Sequence, residues 1–188
     1  QYARSDKLLM FASSIESGSG AVYEFLESVF PRENLVPSTN WTPILADPSR
    51  EPLADRYRFL TWGSVFLDLP EGRAQTAIAT RYRVERNKKI DWYVTGNVKP
   101  EHFDDVKYAI EGWNRYSRAM WNKDFISFKG KLPAGVMLGD PRYNVVNWDN
   151  VADAGAAYES QATDPLTGIQ SHSLIYMPYA WVNIGLDY

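Results

Sequence analysis

The chain has 188 residues, 45% of them hydrophobic and 14% aromatic, enough for one sizeable core or two small ones. Twenty basic and twenty-three acidic residues give a formal charge of −3 without a long run of either sign, which excludes the electrostatic footprint of a nucleic-acid binder. Seven Trp and twelve Tyr stand beside no Cys, a combination that favours an exported protein, periplasmic or in the cell envelope, and no stretch reaches the roughly 18 apolar residues of a membrane span.

In chain order, residues 1 to 20 read as an N-terminal arm ending in the flexible run Ser17-Gly18-Ser19-Gly20. Val22, Phe25, Leu26 and Val29 fall at helical spacing before Pro31, which predicts a short helix over Ala21–Phe30. Five prolines among residues 31 to 56 mark an irregular covering segment. Residues 57 to 69 and 74 to 86 read as two strands around the turn Leu69-Pro70-Glu71-Gly72, and hence as a hairpin.

From Lys89 the pattern sharpens. Ile90 to Thr95 reads as a short buried strand closed by Gly96-Asn97, and a helix opens at Pro100. Phe103, Val106, Ile110, Trp113, Ser117 and Met120 alternate three and four apart, which marks Trp113 as a core residue. Glu101, Asp104 and Asp105 suit the positive end of that helix, and Arg115, Arg118 and Lys123 its negative end. Further strands are expected at Phe125–Phe128, Tyr143–Trp148 and Ser171–Tyr176, with the turn-forming pieces DPR and DPLTG before the last two. No internal repeat is visible.

These elements predict an α+β fold with a mixed, mainly antiparallel sheet, one long amphipathic helix on one face, and a β-rich segment before it. Residues 1–77 form the arm, short helix and hairpin, and residues 78–188 the helix-bearing subdomain.

Candidate chemistry is sparse. The two histidines, His102 and His172, stand seventy residues apart in an acidic helix turn and a strand, not one helical turn apart as paired zinc ligands do. They read as a solvated cap histidine and a strand-surface histidine. Ser171 and Ser173 flank His172 but point to the opposite strand face, and no G-x-S-x-G elbow or Cys offers another nucleophile. Asp140, Asp149, Asp153 and Asp164 match no calcium loop and suit turns. SGSG and LPAGVMLGD lack the Lys-Ser/Thr of a phosphate loop. Trp41, Trp62, Trp92, Trp113, Trp121, Trp148 and Trp181 allow a sugar-stacking surface, against which core packing is the simpler role.

The succession IATRYRVER, KIDWYVTGNVKP, AIEGWNRYSRAM, LGDPRYNVVNWDN and AYESQATDPLTGIQSHSLIY resembles the region upstream of the zinc-binding helix in large bacterial zinc-dependent metalloproteases of the zincin type. The matching residues are Trp92-Tyr93-Val94, Trp113-Asn114, Asp140 with Arg142 to Val146 and Trp148, and Asp164 to Ile169, within residues 78 to 188. HExxH is missing from the 188 residues, so the family's zinc ligands and general-base glutamate have no counterparts here, and no catalytic or metal residue is expected in the chain. Zinc is expected only where a downstream half supplies its ligands.

What the resemblance implies for this chain is the sheet and a substrate edge. Zincins hold a peptide as an added antiparallel strand. By position that edge is Gly155, Ala156, Ala157, Tyr158, Glu159, Ser160 and Gln161, whose small first residues let a backbone come close. The implied partner is a peptide or protein substrate, or the missing C-terminal part of the protease. The alternative is a catalytically inactive zincin-like module serving as a structural or binding component of a cell-envelope assembly.

Overall fold

The computed structural model describes residues 2–5, 8–16, 22–29, 43, 45, 61–69, 72–83, 88–151, 156–164 and 167–182. The chain divides into two compact units, one of Gln1–Val29, Val84–Gln161 and His172–Tyr188, the other of Phe30–Arg83 and Ala162–Ser171.

The first unit begins with β1 (Tyr2–Ser5), β2 (Leu8–Glu16) and β3 (Val22–Val29), an antiparallel three-stranded sheet. This corrects the helix expected over Ala21–Phe30. Val, Tyr and Phe in that run fit a pleated surface, and β2 pairs with it residue by residue from Leu9↔Val29 to Glu16↔Val22. Long-range pairing overrides a helical spacing that a short apolar run can show by chance.

The same unit holds β6 (Ile90–Val94), α1 (Pro100–Gly112), α2 (Asn114–Trp121), β7 (Ile126–Lys131), β8 (Asn144–Asp149) and the greater part of both β9 (Tyr158–Thr163) and β10 (Ile169–Pro178). Its strands run in the order β7, β6, β8, β10, and every one of those three pairings is parallel. A mainly antiparallel sheet is therefore contradicted. The physical reason lies in the connections: β6 reaches β7 through the helix, and β7 reaches β8 through residues 132–143, each long enough for a crossover rather than a hairpin. Burial agrees, since Asn144, Val145 and Val146 are all buried in sequence, as in a strand covered on both faces. β9 pairs with β10 across residues 164–168, a return too short for anything but antiparallel pairing.

Pro100 occupies the first helical turn as its fixed φ favours, with Glu101 beside it. Trp113 separates α1 from α2 but keeps helical angles (φ −62°, ψ −22°), and Asn122 ends α2 in the left-handed conformation that Asn tolerates. The core joins Val106 and Ile110 of the helix to Trp92, Val94, Val98, Val146 and Trp148, with Phe103, Phe128, Ile175 and Met177 packed around them. Trp113 does not belong to it. The side chain is 57% exposed, whereas its neighbour Asn114 is 4% exposed.

The second unit holds the hairpin of β4 (Thr61–Leu69) and β5 (Gly72–Tyr82), in register from Leu69↔Gly72 to Thr61↔Thr80, as the sequence predicts. β5 continues into parallel pairing with the first residues of β10, Ile169↔Arg81 and Gln170↔Tyr82. The Asp164–Gly168 turn sits on β5. Thr167 Oγ1 donates to Asp164 Oδ2 (2.6 Å), Gly168 N–H donates to Asp164 O (2.8 Å), and Arg81 N–H donates to Gly168 O (2.9 Å). Gly168 has φ +72°, and a Cβ there would lie 2.2 Å from Ala79 O, so only glycine fits.

Candidate functional site

β7, which ends the strand order, and β9, which pairs with β10 off that order, are finished differently. Ile126 and Phe128 turn their N–H groups away from β6, where an unpaired edge would expose them. Asn114 and Glu111 of the helix take both. Asn114 Oδ1 accepts from Phe125 N–H (3.1 Å) and Ile126 N–H (3.0 Å), its Nδ2 donates to Ile126 O (2.9 Å), and Glu111 Oε1 accepts from Phe128 N–H (3.2 Å). Ser117 Oγ, also buried, donates to Lys123 O at 2.7 Å. Helix side chains thus close the β7 edge.

The first four residues of β9, Tyr158 to Gln161, fall in the segment expected to be the substrate edge. Gly155 falls outside the described residues; Ala156 is exposed and Ala157 half-buried ahead of the strand, which starts at Tyr158. Tyr158, Glu159 and Ser160 are exposed and Gln161 half-buried. Among the described residues β9 has β10 as its sole strand neighbour. Side chains from β10 fix it in place: Ser173 Oγ donates to Glu159 Oε1 (2.5 Å), and the Tyr158 ring stacks on Tyr176 with centroids 5.0 Å apart at 24°. Tyr176 in turn donates its hydroxyl to Asp149 Oδ2 (2.6 Å). That bond, with burial and the Asp149 charge behind it, raises the Tyr176 hydroxyl to about 12, so it remains a neutral donor.

A second polar group lies under β10. Ser173 N–H donates to Asn144 Oδ1 (2.9 Å) while Asn144 Nδ2 donates to Asp91 O (2.9 Å), tying β6, β8 and β10 together beneath the exposed strand.

Both histidines are more enclosed than the sequence suggests. His102 stacks on Trp148 at 5.5 Å and tilts over Tyr179 at 5.5 Å, with Nδ1 3.7 Å from Asp105 and a buried Nε2. It is an aromatic neighbour, not a solvated cap. His172 is buried in β10, and burial lowers its pKa against a partial opposing pull from the Asp140 carboxylate. Asp140 is itself buried at 3% exposure. Burial pushes its carboxyl up, but Arg142 outweighs that with a guanidinium bond at 2.9 Å and a backbone bond at 3.0 Å, so the net shift is downward. Among the described residues no three His, Cys, Asp or Glu converge as a metal site would require.

The aromatic residues divide between core and surface. Trp92 and Trp148 are buried, and Trp113, Trp121 and Trp181 are exposed; Trp41 is outside the described residues. Trp113 and Trp121 pack on Tyr116 and Phe125 respectively. Sequence reasoning missed Asn114, Glu111 and Tyr176 and gave Asp149 only a turn role. Only the WN pair of the resemblance touched the first of them, since polar residues carry no periodic signal.

Compared with known proteins, the chain matches no family model, no curated protein and no solved structure.

Proposed function

We propose that this chain is the upstream, sheet-bearing part of a zincin-type metalloprotease domain, with β9 receiving an extended peptide and the zinc-binding helix lying outside these residues. The observation that carries the reading is the contrast between β7 and β9. Helix side chains occupy the outward amides of β7, whereas β9, whose Tyr158, Glu159 and Ser160 are exposed, has β10 as its sole strand neighbour among the described residues. The order of the elements supports the same reading: the resemblance calls for a strand, a helix, a strand, the DPLTG turn and a further strand, and β6, the helix, β8 and β10 follow in that order, with β7 and β9 between them.

The described residues do not fit a zinc site, because His102 and His172 are held by separate packing arrangements, so no hydrolytic step is assigned to them. The work left to the chain is alignment. A peptide laid antiparallel to β9 exchanges main-chain hydrogen bonds with it, which fixes its direction and register whatever its side chains.

The test is Ala157→Pro, assayed with a short extended Ser/Thr/Ala peptide. Loss of one main-chain donor next to the strand should weaken binding by up to about ten-fold with little change in unfolding midpoint, because edge positions tolerate proline. Undiminished binding would contradict the proposal.

A further inference from the structure

We infer that the peptide β9 selects is basic, carrying two successive cationic residues, arginine above all; the inference rests on β9 receiving a peptide strand. Successive strand residues point to opposite faces, so Tyr158 and Glu159 present different chemistry on the two sides of one edge. Glu159 lies on the face of Ser173, whose hydroxyl holds Oε1 at 2.5 Å. That is the helix-bearing face, since Ile175, two residues along β10, packs into the helix core.

Tyr158 lies on the other face. Its ring is 59% exposed and backed by the Tyr176 ring at 5.0 Å, whose hydroxyl is bonded to the Asp149 carboxylate at 2.6 Å. A carboxylate at the far end of a stacked tyrosine pair increases the negative character of the ring faces, which favours a cation over them.

A strand added beside β9 has its own neighbouring side chains on these same two faces. One of them comes over the tyrosine pair while the next comes beside Glu159. Arginine satisfies both positions: its planar guanidinium stacks on an aromatic face and forks onto a carboxylate, which a lysine ammonium does less well. An acidic pair is repelled by Glu159 on one face and by Asp149 behind the other.

The experiment is a fluorescence-anisotropy titration of the chain with three labelled extended peptides, identical except for a central Arg-Arg, Ala-Ala or Glu-Glu pair, at low and high salt. Two solvent-exposed contacts should make Arg-Arg bind about ten-fold tighter than Ala-Ala at low salt, with the gap shrinking at high salt. Tyr158→Ser and Glu159→Gln should each remove about three-fold of that preference, and the double variant should bind the two peptides alike. Equal binding of Arg-Arg and Ala-Ala to the unaltered chain would overturn the basic preference and leave the edge reading standing. Failure of every peptide to bind would overturn the edge reading itself. A preference undiminished in the double variant would show that other residues make it.

Discussion

At the scale of single residues, the exchange of roles between Trp113 and Asn114 is the most instructive. Apolar spacing assigns Trp113 to the core because large aromatics bury the most surface, yet the interior position belongs to Asn114. What decides it is the unpaired backbone of β7, for which a buried amide offers an acceptor to two N–H groups and a donor to one carbonyl. Asn114→Ala leaves those part-buried groups without their side-chain partner and should cost about 1–3 kcal/mol, while Trp113→Ala should change stability by roughly 0.5 kcal/mol or less. Urea unfolding of the two variants checks the pair; equal losses would mean that the helix face is wrongly assigned.

His172 makes a pH-dependent contribution with a defined sign. Its folded pKa lies below the ordinary 6.5 because burial disfavours the charged ring, so the unfolded chain binds the extra proton first. The contribution is complete above pH 6.5 and is lost as the pH falls through the lower folded value. Stability should therefore decline on acidification from neutrality, and His172→Gln should flatten that part of the profile in chemical denaturation at a series of pH values.

At the scale of elements, the hairpin of β4 and β5, the strand at β6 and the start of the helix at Pro100 are legible because turn residues and a proline impose local geometry that tertiary context rarely reverses. Strand β3 is not legible: its apolar residues satisfy a helical spacing, and what makes it a strand is the eight-residue register with β2. Parallel pairing was not legible, since IDWYV buries alternate residues and NVVNW carries two asparagines, so neither run shows the continuous apolar pattern of a strand covered on both faces. The DPLTG turn was legible as a turn, but its dependence on Gly168 arises from the approach of Ala79, which is distant in sequence. Gly168→Ala should destabilise the unit containing β4 and β5 by at least about 2 kcal/mol through strained φ and the clash with a backbone oxygen. Thermal unfolding of that variant measures it, and a stability unchanged from the parent would contradict the close approach.

At the scale of the whole molecule, nothing in composition distinguishes β7 from β9; the distinction emerges only because helix side chains close β7 while β9, among the described residues, has β10 as its sole strand neighbour. The candidate segment Gly155–Gln161 is legible from its place before the DPLTG turn, whereas the residues that give it chemical character, Asp149 and Tyr176, lie on the strands that precede and follow it, β8 and β10, and come together only through tertiary pairing. The most direct measurement of the central claim is amide hydrogen exchange with and without a bound extended peptide. The account predicts that β9 amides exchange quickly in the free chain and slow markedly in the complex, with β6 and β8 equally protected in both. Protection appearing on another element while β9 is unaffected, or β9 amides already as slow as those of β8 in the free chain, would contradict it.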